Sequence, residues 1–412
     1  MTKSVTLSHP TGILNGSIKL PASKSEANRA LIIAALADGN STIDNLSEAN
    51  DTQLLQRLLN SEAETIDAED AGTVMRFLTA FYAVTGQQKT LVGTERMCQR
   101  PIKVLVEALR ELGASIDYLG EEGYPPLKIN GFKGNGNNKL KVRSDISSQY
   151  ISALLMVAPV LPDGLVLELE GKISSRPYIE MTLSLMKHFG AEATFEGNTI
   201  IVPHQQYKAA AFSVESDWSA ASYWYSMVAL AREADITLLG LREDSFQGDR
   251  AIADIMRRLG VHTEFTEAGV RLTKKHREKR VAFDFTNCPD LAQTIVALCA
   301  ALGVTLEMTG VESLRIKETD RVHALQIEVL TMGTSLNEIT PGVFRMEPAI
   351  LTKRQLFFRT YQDHRMAMAF APIALLETVQ IQEPDVVRKS YPRFWEDLEK
   401  VGFELSINTT EV

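Results

Sequence analysis

The chain has 412 residues, 45% of them hydrophobic and 23% charged, with a net charge of −9. That is the profile of a globular protein long enough for two or three domains, and its acidity argues against a general nucleic-acid binder. No run approaches the roughly 18 apolar residues of a membrane span, and the N-terminus MTKSVTLSHPTG lacks an apolar signal core, so a cytoplasmic protein is expected. Cys98, Cys288 and Cys299 form no CxxC pair, which argues against a disulfide frame or zinc site and fits a reducing compartment.

The first predicted helix, SKSEANRALIIAALADG from Ser23, carries Lys24 and Arg29 near its start. A helix N-terminus is partially positive and repels cations, so this placement calls for an anion from outside the chain. Five further Ala- and Leu-rich helices with small polar starts follow: DAGTVMRFLTAFYAVTG, SDISSQYISALLMVAPV, ESDWSAASYWYSMVALA, CPDLAQTIVALCAALG and YQDHRMAMAFAPIALLE. Each is apolar nearly all round and is expected to be buried. A second kind of helix, with a charged face, follows each one; RPIKVLVEALRELGA and GDRAIADIMRRLGV are examples. Five of these end on glycine, at Gly113, Gly190, Gly260, Gly333 and Gly402, spaced by 69 to 77 residues. Glycine there is the expected left-handed helix stop. Short β-like runs such as LVLELEG, TIIVP and TLEMTG lie between. The chain therefore reads as six units of strands plus two helices, arranged as two α/β domains of three units.

Polar groups gather at the helix starts. Lys24, Ser25 and Arg29 open the first unit; Gly72, Thr73 and Arg76 the second; Ser147, Ser148 and Gln149 the third; His364 and Arg365 the sixth. The second kind of helix adds Arg100, Ser175, Arg176, Tyr178, Lys317, Glu318, Arg321 and Lys389. Helix N-termini and bidentate arginines bind phosphate and carboxylate. There is no GxxxxGK[ST] loop, so a Walker nucleotide site is not expected. Each residue alone has an ordinary reading, as a solvated charge, a cap or a turn; the joint pattern points to an anion-binding cleft.

At these residues the sequence resembles the 5-enolpyruvylshikimate-3-phosphate synthases, or 3-phosphoshikimate 1-carboxyvinyltransferases. The matching stretches are LPASKSEANRALIIAALA, AGTVMRFLTA, ERMCQRPI, SSQYISALLM, SSRPYIEMTL, IKETDR, YQDHRMAM and RKSYPRFWEDL, in family order. The resemblance implies two similar domains, each of three βαβαββ units in an inside-out α/β barrel, with the active site in the inter-domain cleft. Mapped here, one domain is 20–214 and the other 1–19 plus 215–412. The implied reaction moves the enolpyruvyl group of phosphoenolpyruvate to the 5-hydroxyl of shikimate 3-phosphate and releases phosphate. The implied protein needs no metal or organic cofactor, binds only small-molecule substrates, and is a monomer.

The resemblance also implies residue roles. Shikimate 3-phosphate would lie on Lys24, Ser25, Arg29, Ser147, Ser148, Gln149, Ser175, Tyr178, Asp290 and Lys317. Phosphoenolpyruvate would be held by Lys24, Gly72, Arg100, Gln149, Arg321, Arg365 and Lys389, with Arg76 and Arg96 flanking. Asp290 would accept the 5-hydroxyl proton. Glu318 would protonate the methylene carbon and later take a proton back, and Lys24 would be a third proton carrier. Gly72 leaves room for glyphosate, so sensitivity is expected. Three positions depart from the commoner bacterial pattern: Asp70 for Asn before AGT, Phe77 for Pro, and Ser313 for Asn. The nearest rival, a UDP-N-acetylglucosamine enolpyruvyl transferase, has a Lys-Asn pair in place of SKS and a loop cysteine; Cys98 stands too close to Arg100-Pro101 for that loop. A second rival, an RNA 3′-phosphate cyclase, would need a catalytic histidine and a cationic stripe that are not evident. His364 can be read as a base, but with Arg365 beside it a structural or donor role reads equally well.

Overall fold

The computed structural model describes residues 2–144, 147–348, 350–351 and 355–410. Asp145 and Ile146, in the third predicted helix start, lie outside them. The chain divides into two compact units, 22–214 and 1–21 with 215–412.

The unit 22–214 holds α1 (Lys24–Leu36), α2 (Asn50–Leu59), α3 (Gly72–Val84), the single turn α4 (Glu95–Cys98), α5 (Lys103–Glu111), α6 (Ser148–Val157) and α7 (Arg176–His188). The other unit holds α8 (Trp218–Leu230), α9 (Ile252–Arg258), α10 (Ala292–Leu302), α11 (Arg321–Thr331), α12 (His364–Phe370) and α13 (Phe394–Lys400). The apolar helices α3, α6, α8, α10 and α12 are buried almost throughout, as a helix without a polar face must be. The helices α5 and α7 bury one stripe, led by Leu105 and Leu109 and by Ile179 and Leu185.

The apolar helices α3, α6, α10 and α12 each serve as a crossover between paired parallel strands. Thr65–Asp67 pairs parallel with Lys89–Val92 across α3, and Lys139–Arg143 with Leu165–Glu170 across α6. Arg280–Asp284 pairs with Thr305–Thr309 across α10, and Gln355–Phe358 with Thr378–Gln382 across α12. The second helix then leads into antiparallel strands, such as Ala114–Tyr118 with Leu127–Phe132. This is β-α-β-α-β-β, repeated. In two copies the first strand comes from far along the chain. Ile13–Lys19 pairs parallel with Glu233–Leu239, and Ala211–Ser213 with Thr42–Asp44.

The first copy is abridged. Only five residues, 60–64, separate α2 from the next strand, too few for a hairpin, so among the described residues its sheet has two strands where five other sheets have four. The first of the six units therefore lacks the closing hairpin of the others. The glycine stops do take positive φ, from 84° at Gly190 to 105° at Gly113.

Candidate active site

Two polar constellations arise, one in each unit, because the starts of the apolar helices converge. In the unit 22–214, Ser23 caps α1 by accepting from the Glu26 amide, and Lys24 is the first helical residue. Lys24 Nζ lies 3.1 Å from Asp51 Oδ2 on α2. Asn28 donates to Thr73 Oγ1 on α3 at 3.0 Å and accepts from Thr52 Oγ1 on α2 at 2.7 Å. One buried amide thus ties three helix starts together.

Arg29, 1% exposed, reaches the other way. Its Nε donates to Thr182 Oγ1 at 2.8 Å, Nη1 to the Ser25 carbonyl at 2.8 Å and Nη2 to Ser152 Oγ at 2.9 Å. Burial pulls its pKa down to about 10, against smaller opposing pulls from Tyr178 and Glu26, so it stays charged at neutral pH. Ser147 caps α6 by accepting from the Gln149 amide at 3.3 Å, with Ser148 and Gln149 half-buried in the first turn. Ser175 precedes α7 in a left-handed conformation with φ of 55°, which turns the chain into Arg176 and Tyr178.

Gly72 begins α3 beneath two guanidiniums. A methyl group there would lie 2.6 Å from Arg76 Nη1 and 2.8 Å from Arg100 Nη2. Arg76 donates to the Gly72 and Pro101 carbonyls, and Arg100 to the Asp70 carbonyl at 3.4 Å. Arg96 is exposed and bonds Gln99 at 3.4 Å, whereas Arg76 and Arg100 are buried. Phe77 is buried on α3, its ring under the Arg29 guanidinium.

In the other unit, Arg321 at the start of α11 is the hub. Its Nε donates to Asp363 Oδ2 at 2.7 Å, Nη1 to Asp290 Oδ1 at 2.9 Å and Nη2 to Glu318 Oε2 at 2.9 Å. Arg365 donates from Nη2 to Asp290 Oδ2 at 2.9 Å. Lys317 Nζ is 3.9 Å from Asp290 Oδ1. Burial pushes the Asp290 carboxyl up, but Arg365, Lys317 and Arg321 outweigh it and hold it well below the usual carboxylate range. Burial also lowers the Lys317 pKa, against the pull of Asp290. Lys389 is buried at the end of the 3-10 turn Pro384–Lys389. His364 is buried, with Nδ1 3.5 Å from Asp363.

Asp363 and Asp249 were not singled out from sequence. Asp363 caps α12 by accepting from the Arg365 amide at 2.9 Å while it also holds Arg321. An aspartate directly before a helix is a readable cap, so the first role was legible. Asp249 accepts from Ser219 Oγ, and burial, then Asp290, push its carboxyl up to about 7. No local signal marks that residue.

A family model described as EPSP synthase (3-phosphoshikimate 1-carboxyvinyltransferase) matches residues 9–61 and 54–398. A 3-phosphoshikimate 1-carboxyvinyltransferase of Bacteroides fragilis (strain YCH46) is 50% identical over 405 residues, 97% of this chain and 98% of that protein. One from Sulfurovum sp. (strain NBC37-1) is 37% identical over 437 aligned residues, 97% of this chain and 99% of its own. The solved EPSP synthase of Acinetobacter baumannii, at 19% identity, superposes with a TM-score of 0.81 over 99% of this chain and 100% of that one. With the fold repeated, the cation clusters built and relatives at this identity across nearly the whole length, the chain belongs to the EPSP synthase (3-phosphoshikimate 1-carboxyvinyltransferase) family.

Proposed function

We propose that the chain transfers the enolpyruvyl group of phosphoenolpyruvate to the 5-hydroxyl of shikimate 3-phosphate and releases inorganic phosphate, a step toward the aromatic amino acids. The observation that carries the reading is the Asp290–Arg321–Glu318 network, in which one guanidinium binds both proposed proton carriers.

The chemistry follows from that sharing. An arriving phosphoenolpyruvate competes for Arg321 and Arg365 with its carboxylate and phosphate. As the guanidiniums turn to it, Glu318 is released from Arg321 and Asp290 loses two of the cations that hold its carboxyl low, so the proton affinity of Asp290 rises. Asp290 then takes the proton of the 5-hydroxyl as its oxygen bonds to C2 of phosphoenolpyruvate. Glu318, protonated, gives its proton to the C3 methylene, which becomes a methyl group. In the second half Glu318 takes a proton back from that methyl, the C2–C3 double bond reforms, and the C2–O bond to phosphate breaks. Arg100, Lys389 and Lys24 would stabilise the charge that grows on the departing phosphate, with Gly72 leaving room for it. Arg29, Ser25, Ser147, Ser148, Gln149, Ser175, Tyr178 and Lys317 would hold the acceptor, and Gln149 would touch both substrates.

Phosphate release with phosphoenolpyruvate and either shikimate 3-phosphate or UDP-N-acetylglucosamine tests the assignment. Release is expected with shikimate 3-phosphate alone; release with the other acceptor overturns it. Asp290→Asn and Glu318→Gln should each lower kcat by about 10²–10⁴-fold. We also propose that the protein acts as a monomer in the cytoplasm without metal or organic cofactor. Light scattering and activity after chelation test the oligomeric state and the absence of metal.

A further inference from the structure

Arg29 is a buried cation with an unusual set of partners. Its three bonds run to a carbonyl and two hydroxyls, all neutral. No carboxylate forms a salt bridge with it among the described residues. The buried Glu26 acts on it only as a minor pull that burial outweighs, and a buried charge without a direct ion pair is costly, so further compensation is needed. Two aromatic faces supply it. The Arg29 Cζ lies 5.5 Å from the centre of the Phe77 ring and 5.6 Å from that of Tyr178. Both are within the distance at which a ring quadrupole attracts a cation. Three of the five guanidinium N–H groups are used; in the proposed function the acceptor's carboxylate would take the other two.

Tyr178 already belongs to the proposed acceptor site. Phe77 does not, and being 0% exposed it touches only protein. It packs in the apolar core of the unit 22–214, so plain space-filling is the competing account. We propose that Phe77 is a positioning residue that fixes the Arg29 guanidinium for the acceptor's carboxylate and so sets acceptor affinity without contacting either substrate. This rests on the proposed function. The ring face holds the guanidinium in one orientation through electrostatic attraction, while the Thr182 and Ser152 hydroxyls fix its edge. Without the face, Arg29 keeps its bonds but loses the restraint across its plane, and the two remaining N–H groups meet the anion less well aligned.

The test separates electrostatics from packing. Phenylalanine carrying one, two or three ring fluorines is placed at position 77, which keeps the shape and progressively drains the negative face. Phe77→Leu is made alongside. The KM for shikimate 3-phosphate should rise stepwise with fluorine number, by about tenfold at the third, and by a similar amount in Phe77→Leu. The kcat and the KM for phosphoenolpyruvate should stay within about twofold of wild type. An acceptor KM that stays flat across the fluorinated series overturns the proposal, as does a parallel rise in both KM values. If Phe77→Leu does not fold, the fluorinated series alone decides. A wild-type enzyme that turns over phosphoenolpyruvate with shikimate 3-phosphate while the series stays flat leaves the functional reading standing and removes only this one. A wild type inactive with that acceptor overturns both.

Discussion

Asp249 is a carboxyl placed where its charge is least welcome. It is 3% exposed, its Oδ1 finds no hydrogen-bond donor among the described residues, and Asp290 adds a like charge. Its pKa is therefore about 7 in the native state, against roughly 3.9 for an aspartate in an unfolded chain. Between those two values the native protein holds a proton that the unfolded chain has lost. Stability from this group is present at low pH and is lost as pH rises through that window to about 7. Asp249→Asn carries no such slope, so its Tm relative to wild type should climb between pH 5 and pH 8. Parallel Tm curves across that range would count against a raised Asp249. Gly72 offers a second residue-scale prediction. In Gly72→Ala the new methyl must displace Arg76 Nη1 at 2.6 Å and Arg100 Nη1 at 2.9 Å. The KM for phosphoenolpyruvate should rise on the order of tenfold, with that for shikimate 3-phosphate nearly unchanged. Steady-state kinetics with each substrate varied in turn decide it.

At the scale of elements, the turn before α12 needs support to exist. Tyr361 and Gln362 are consecutive non-glycine residues in the left-handed region, with φ of 55° and 56°. Such residues cost about 1–3 kcal/mol each and persist only where their surroundings hold them. Here Tyr361 donates to Glu328 Oε1 on α11 at 2.6 Å, and the Arg359 amide donates to Glu328 Oε2 at 3.3 Å. Thr360 donates to Glu383 at 3.0 Å. Burial pushes the Glu328 carboxyl up, and the Tyr361 and Arg359 donors favour its charged form in opposition. The turn ends at Asp363 and Arg365, so the strut sets where the site's cations begin. Tyr361→Phe removes a donor from a buried carboxylate and should destabilise the protein by about 1–3 kcal/mol. It should also raise the KM for phosphoenolpyruvate several-fold. A denaturant midpoint that falls while that KM holds would show that the turn does not position Arg365.

At the scale of the whole molecule, stability rests on the apolar helices. In the unit 22–214, α6 contributes Ile151, Leu154 and Leu155, all fully buried. In the other, α8 and α10 contribute Trp224, Ile295 and Leu298. Leu155→Ala leaves a cavity and should cost about 2–5 kcal/mol. Hydrogen exchange should locate the loss in 22–214 and leave the protection of α10 unchanged, since distant sites add independently. Equal loss of protection in α10 would mean that the chain unfolds as one cooperative body. Among the described residues no helix is long and apolar enough to cross a membrane.

The repeated helix pairs, their polar starts and their glycine stops were legible in the sequence because each is a local property. An apolar stripe repeats every few residues, a cap precedes its own helix, and a left-handed stop demands glycine within one residue. The motifs around Lys24, Gly72, Arg100, Arg321 and Arg365 were legible for the same reason: each is a short contiguous string, whereas Asp290 came only from the resemblance. The missing hairpin after α2 was obscured because the helix pattern there matches the other copies, and only the strand pairing reveals the gap. What tertiary structure alone decided is which charges meet. Arg321 finds Asp363 across 42 positions, Arg365 finds Asp290 across 75, and Arg29 finds Thr182 across 153. Nothing in the local chain marks Asp249 as a buried acid or Phe77 as a cation's support. Burial and proximity set both, and these arise only when helix starts from distant segments are packed together. The sequence by itself determined the repeat, the family and the residue types of the proposed site. The packing of the helix starts decided their protonation, because charge state depends on neighbours in space and not on neighbours in sequence.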